Sequence, residues 1–376
     1  MPVISTIHLT LLIGRTIPVP VRQPLSDALL NAQVTVTAGQ ASGFQLVFDL
    51  AKSAVINREL LPSGFFDPQT RVILVVTASG TATVLMDGVI TQQEVDVAND
   101  AGSSTLTITG QDLTALMDLV EKNADSFPGT TDAERAETII KGYAQYGITP
   151  QVIKEIFPYA PSPDVQTDFQ QGTDLAYLNQ LAQDNGYVFY LDPGPRPGQS
   201  VGYWGPEVRT GTPQPALTIN SDAASNVEQL TFTYDGSARQ QPSALVLSEA
   251  TRDISSSPVP ALTLLYPRLA RKPAPALKQV VLDDTANEDP QQVLAAQLAL
   301  VAQSAQAITV SGTLDVVRYG QVLQPRELVG VRGAGVTYDG LYYVTSVTHN
   351  LQRGEYTQDF TLAREGLISL TPTVTP

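Results

Sequence analysis

Apolar and polar residues alternate one for one at the start of the chain. Val3, Ser5, Ile7, Leu9 and Leu11 fall on one face of an extended segment, with Thr6, His8 and Thr10 on the other, which predicts a half-buried strand. The same β-branched texture returns in QVTVTAG, GFQLVFDLA, RVILVVTASGTATVLMDGVI and STLTITG, separated by Gly, Pro, Asp and Asn. Short strands punctuated this often predict a small barrel or sandwich over residues 1–110, not βαβ units.

The period then changes. Asp112 opens a helical DLTALMDLVEKN, and Thr131-Asp132-Ala133-Glu134 reads as a capping box ahead of Ala136, Ile139, Ile140, Tyr143 and Tyr146. In TDLAYLNQLAQDNGYVFYLDPG, Leu175, Leu178, Leu181 and Ala182 share a helical face behind a Thr173 cap, with Asp174 in the first turn. Gly186 is suited to a left-handed helix end, and Tyr187 to Leu191 is an aromatic, β-branched run stopped by Asp192-Pro193-Gly194. Residues 111–205 are therefore expected to form an α+β domain. Its leucines should seat the helix on the strand containing Val188 and hold the flanking blocks at a fixed distance.

Strand texture resumes after residue 206, in PALTIN, VEQLTFTYDG, SALVLSEA, ITVSGTLDVV, ELVGVRG, LYYVTSVTHNLQ and YTQDFTLARE. A helix capped by Asp289, with Pro290 first and carrying Val293, Leu294, Leu298 and Val301, interrupts it. This predicts a second β-domain over 206–376, carrying an insertion at about 250–305. The two β-blocks echo each other: an Asp87-Gly88 turn, a strand, a loop and a closing strand near Gly110 parallel an Asp339-Gly340 turn and its successors ending near Gly366. Duplication explains the echo, and so does the frequency of Asp-Gly in turns.

A length of 376 residues fits two or three domains, and 43% hydrophobic with 16% charged residues supplies real cores. With 37 acids against 22 bases, a net charge of −15 removes the general attraction to nucleic acid or anionic membrane. No cysteine is present, so thiolate chemistry and disulfides are excluded. The opening MPVISTIHLTLLIG lacks a basic lead-in and is broken by His8 and hydroxyl residues; neither signal peptide nor membrane span is expected.

Catalytic motifs fail on context. Gly198-Gln199-Ser200-Val201-Gly202 matches a nucleophile elbow, with His349 downstream, but the serine follows a proline-rich turn and precedes an extended segment. Two histidines make no zinc cluster, there is no Walker A motif, and GVRGAG at 330–335 reads as a turn. Asp283-Asp284 and Glu288-Asp289 flank a helix start, where solvated acids and a cap are the plain reading. Tyr203 and Trp204 are adjacent, so they cannot form one stacking platform. The one reversal of charge is 254–282, where Arg268, Arg271, Lys272 and Lys278 occur without an acid in a proline-rich stretch. It reads either as a solvated loop or as an arm touching an acidic partner or a second copy of this acidic chain.

The helix-Asn-Gly-aromatic strand at 173–192 resembles that of phage tail hub proteins, the late control protein D group, and the N-terminal hub region of VgrG proteins. The end, YDGLYYVTSVTHNLQRGEYTQDFTLAREG, is similar to the same families' closing strands, with His349 after the strand and a finish at Tyr356, Thr357, Arg364, Glu365 and Gly366. Residues 82–116 resemble the exit from the first hub barrel. The resemblance implies a mainly β fold of two related small β-barrel domains flanking an α+β domain. It also implies a non-enzymatic baseplate hub of a contractile tail or injection system, assembled in the cytoplasm into a phage-like particle, without cofactor or metal. Three copies would form a ring joining a hexameric inner tube to a trimeric spike, among other baseplate components. Because the chain ends at LISLTPTVTP without a β-helical repeat, the spike is expected to be a separate polypeptide. The competing readings are a particle-associated polysaccharide or peptidoglycan hydrolase using paired carboxylates, and a carbohydrate-binding module.

Overall fold

The computed structural model describes residues 7–50, 55–99, 104–123, 125–162, 164, 168–247, 254–282, 288–371 and 374. Val3, Ser5 and the Asp283-Asp284 pair lie outside them. The first block contains β1 (His8–Gly14), β2 (Val19–Pro20), α1 (Gln23–Ala28), β3 (Leu29–Thr37), β4 (Gly43–Asp49), β5 (Arg71–Ala78), β6 (Thr81–Asp96) and β7 (Thr105–Asp112). The middle block contains α2 (Asp132–Lys141), β8 (Ile148–Val152), α3 (Asp174–Asp184), β9 (Val188–Pro193) and β10 (Ser200–Gly205). Then follow β11 (Gln214–Thr218), β12 (Val227–Tyr234), β13 (Gln240–Ser243), β14 (Leu245–Leu247), β15 (Ile254–Ser256), β16 (Ala270–Pro273), β17 (Lys278–Val281) and α4 (Pro290–Gln303). The chain closes with β18 (Ile308–Asp315), α5 (Val316–Tyr319), β19 (Leu328–Arg332), β20 (Gly340–Gln352), β21 (Glu355–Arg364) and β22 (Gly366–Ser369).

The seven strands of the first block join β11, β12 and β18–β21 of the last in one 13-stranded sheet, while β13–β17 and β22 form two-stranded pairs beside it; among the described residues no sheet closes on itself. Within that sheet a strand order occurs twice. The first block runs β1-β5-β6-β7-β4-β3, and the last runs β11-β19-β20-β21-β18-β12. The outer pair differs in sense, since β1 lies antiparallel to β5 whereas β11 lies parallel to β19.

The correspondence reaches single residues. The register slips between Leu29 and Asn31 and between Val227 and Gln229 on one strand, and between Ile90 and Gln92 and between Val344 and Ser346 on the other. At the second slip each block leaves over a threonine, Thr91 or Thr345, whose hydroxyl donates to the carbonyl of Thr109 (3.2 Å) or Thr361 (3.0 Å). Ahead of β5 and β19, Gln69 (φ 68°) and Arg326 (φ 66°) are both left-handed non-glycine residues. Their amides donate to Ile90 and Val344, in each case at 2.8 Å. Bulges and strained residues at matching places mark repeated structure, because each breaks a ladder that uniform pairing would keep intact.

The sequence echo is therefore present but displaced. These bulges align Met86 with Gly340, and Asp87-Gly88 is no turn: both residues lie inside β6. Asp87 is buried there because Arg71 donates to it twice, at 2.7 Å each, while also bonding the Tyr146 carbonyl at 2.8 Å. Gly88 stays glycine because a Cβ would meet the Gln111 carbonyl. The β5–β6 reversal is made instead by Ser79 and Gly80, both at positive φ.

In the middle block β8 runs parallel to β10, and β9 antiparallel to it. The Thr131 capping box forms on α2, whereas the stretch after Asp112 makes only a 3-10 turn over Leu113–Asp118. On α3, Leu178 and Leu181 are buried, Leu175 is half-buried, and Tyr177 completes the inner face. These residues cluster with Tyr187, Phe189, Leu191 and Trp204, so the helix does sit on the strand containing Val188, through Phe189 and Leu191 and not through Val188 itself. Its side chain points the other way, 3.1 Å from where a Cβ on Gly39 would stand, because successive strand residues alternate faces. Leu178 is fully buried, and Leu178→Ala is expected to cost about 2 to 5 kcal/mol in urea unfolding; near-wild-type stability would show that the site collapses around the smaller residue.

The inserted helix α4 packs on the middle block rather than on the β-sheet following it. Leu298 and Val301 join the core of α2 and α3, and Gly186 (φ 67°) brings its backbone so close that a Cβ would stand 2.9 Å from the Ala299 Cα.

Candidate interaction surfaces

The four basic residues singled out in sequence sit on the segment that crosses the last block. Arg268, Arg271, Lys272 and Lys278 are all exposed and make no ion pair among the described residues. The segment itself is no free arm. β16 pairs with β22 and β17 with β13, while Leu262, Leu265, Tyr266, Leu269 and Ala270 are buried. It is a strap whose basic side chains face outward.

A buried charge holds the strap down. Arg209, on the loop between β10 and β11, stands under the Tyr266 ring at 4.1 Å and beside Tyr343 at 5.4 Å. It donates to Glu207 at 2.6 and 2.9 Å, and Glu365 lies 3.5 Å away. Burial works against the guanidinium charge, yet Glu207 above all, with Tyr266 and Glu365, holds its pKa above the usual value. Glu365 in turn accepts the backbone amides of Leu269 and, at 2.7 Å, Ala270.

The residues that carried the family resemblance at the chain's end prove to be polar clamps. Arg364 stacks on Tyr342 at 4.3 Å and donates to the carbonyls of Gly366, Asp339 and Thr337. His349 is buried against Tyr356 (2.7 Å) and Gln358 (3.2 Å). Ser200 directs its hydroxyl to Asp87 at 3.4 Å, so the elbow motif and His349 form no catalytic pair. Sequence reading missed Arg326, which lies 3.8 Å over Tyr190 and donates to the carbonyls of Leu191 (3.1 Å) and Thr37 (3.0 Å) and to Asp192 (2.9 Å), tying all three blocks together. No local pattern marks it, because its partners are 134 and 289 residues away.

A cleft of about 790 Å³ opens between α2, α3 and α4, lined by Asp132, Glu155, Asp168, Asp184, Glu288 and Arg135 among others. Three of these acids are committed to structure: Asp168 accepts from Arg135 at 2.7 Å, Asp132 from Asn185 at 2.8 Å, and Glu155 from the Ala133 amide. Burial, with Asp132 and Glu288 nearby, pushes the Asp184 carboxyl up to about 6. Among the described residues, no three His, Asp or Glu side chains gather as a metal site, and no helix is long and apolar enough to cross a membrane.

Two further surfaces are strand edges. β12 ends the large sheet, and β6 projects beyond β5, so that Thr91–Asp96 have β7 on one side and nothing on the other among the described residues. All six are exposed.

No family model matches the sequence, and no curated protein matches it. Solved structures do. A tail protein from Neisseria meningitidis aligns over 98% of this chain and 99% of its own, at TM-score 0.64 and 18% identity. A chain of the Francisella PdpA–VgrG complex aligns over 99% of this chain and 60% of its own, at TM-score 0.62 and 11% identity. An Escherichia coli type VI secretion component, described as similar to the bacteriophage T4 tail proteins gp27 and gp5, aligns over 97% and 80%, at TM-score 0.56 and 13% identity. The likeness is one of fold, carried by the β, α+β, β order over nearly the whole length, and the fold of this chain is that of phage tail and VgrG-like proteins.

Proposed function

We infer that the protein is a structural, non-enzymatic baseplate hub of a contractile phage tail or related injection particle. In this reading three copies form a ring that meets a hexameric inner tube on one side and a trimeric spike on the other. The observation that carries it is the repeated strand order with its matching bulges. Two related barrel-like modules per chain give a trimer six similar units, which lets three-fold and six-fold symmetry meet without mismatched contacts. The tail-protein fold and the type VI secretion relative support the same assignment. Arg268, Arg271, Lys272 and Lys278 are then contacts to an acidic neighbour, either another copy of this chain or a further baseplate component. Native mass measurement is expected to give three times the 40.2 kDa chain mass, with added inner tube protein co-migrating. Monomers alone at micromolar concentration, with and without tube protein, would refute the ring.

A further inference from the structure

The chain contains a worked example of its own inter-module joint. Beyond β19, the free edge of β20 is covered by β3, with Ser346 to Gln352 paired antiparallel to Thr37 to Asn31. Val34, Val36 and Ala32 are buried on one face. On the other, Thr35 bonds Thr348 at 3.0 Å and Gln33 bonds Asn350 at 2.9 Å. The joint is therefore mostly apolar inside, with His349 as its buried polar member, and hydrogen-bonded outside.

The bulges and ladders set the equivalence. Thr91 corresponds to Thr345, so Gln92–Asp96 of β6 correspond to Ser346–Asn350 of β20. Asn31 corresponds to Gln229 through the slips at Leu29/Asn31 and Val227/Gln229, so Thr35 corresponds to Thr233. The edge that β3 covers on β20 is the edge left open on β6, and the strand equivalent to β3 is β12, whose outer edge is also open among the described residues.

We propose that β12 of one copy adds to the free edge of β6 of the next, in the register that β3 adopts on β20. Resting on the ring reading, this names the surfaces that close it. Glu94 then stands opposite Thr233, Val95 opposite Phe232, Asp96 opposite Thr231 and Val97 opposite Leu230. The inner face receives Val95, Val97, Phe232, Leu230 and Tyr234 together with Gln93, and the outer face receives Glu94, Asp96 and threonines. That alternation matches the pattern of the internal joint, and no like charges face each other. It also accounts for the solvent exposure of Val95 (43%), Val97 (82%) and Tyr234 (39%), which strand addition would cover. Because the contact joins different surfaces, it generates a ring or a filament, and a repeat of the same step inside and between chains is what a ring of six modules needs.

The absence of cysteine makes the register directly measurable. Glu94→Cys/Thr233→Cys is expected to give covalent dimers and trimers on oxidation, as is Val95→Cys/Phe232→Cys. Thr35→Cys/Thr348→Cys should close only within one chain, and the out-of-register Glu94→Cys/Gln229→Cys should give no ladder. Val95→Arg, at an exposed position, should shift the native mass from trimer to monomer without unfolding the chain. A trimer that forms but links through neither in-register pair, and tolerates Val95→Arg, would overturn the edge pairing and leave the ring standing. Monomers from every variant and from the parent chain would refute the ring and the pairing together.

Discussion

Replacing Arg209 by methionine is expected to lower the unfolding free energy by about 3 to 5 kcal/mol, the usual cost of stranding buried charges. Glu365, with its side chain 3% exposed, would lose its cationic neighbour, and Glu207 would lose the two hydrogen bonds from Arg209 and keep only that from Gln306. Tyr266 and Tyr343 would lose the planar group they enclose. The strap should loosen as well, since Glu365 holds the amides of Leu269 and Ala270. Limited proteolysis should then cut within 262–273, where the parent protein is expected to stay intact. Arg209→Lys should not restore the strap, because an ammonium neither stacks on tyrosine nor presents a fork to carboxylates. Urea curves within about 1 kcal/mol of the parent would show the pillar to be dispensable.

Acid should weaken the last block through His349. The Gln358 amide orientation is set by the backbone: its Oε1 accepts from the Leu323 amide and its Nε2 donates to the Leu323 carbonyl, each at 2.9 Å. That same Nε2 approaches the His349 Nδ1 and can only donate, so Nδ1 accepts and the ring is neutral. Burial pushes the imidazole down from 6.5 to about 3. An unfolded chain binds this proton near pH 6.5 and the native chain only near pH 3, so the unfolded state holds more protons throughout the window between. Stability from this group is complete above about pH 6.5 and is lost as the pH falls, by roughly 3 to 5 kcal/mol in all. His349→Gln should flatten that part of the profile. Parallel curves for parent and variant between pH 7 and 3.5 would contradict the assignment.

These two sites show why a resemblance can be sound while the roles of its residues stay hidden. His349, Arg364 and Glu365 stood out in the closing motif, and all three are held as clamps inside the last block and its strap. Nothing local distinguishes a buried clamp from a reactive group, since the residue types are the same and only the partners differ. Asp87-Gly88 misled for the opposite reason. The dipeptide has turn chemistry, but Arg71 neutralises the aspartate within a strand and the approach of Gln111 requires the glycine. Tertiary pairing overrode local preference there.

What the chain's own pattern determined is the kind and order of its elements: alternation for strands, capped 3.6-residue periods for α2, α3 and α4, and left-handed glycine at the end of α3. Those features depend on neighbours a few residues away, which sequence displays directly. What only the folded molecule decided is where elements meet: the repeated order within one open sheet, the docking of α4 on the middle block, the junction at Arg326, and the edges of β6 and β12 that no other described strand covers. Such contacts join residues separated by a hundred positions or more and are selected by shape and buried charge together, which spacing along a chain does not encode.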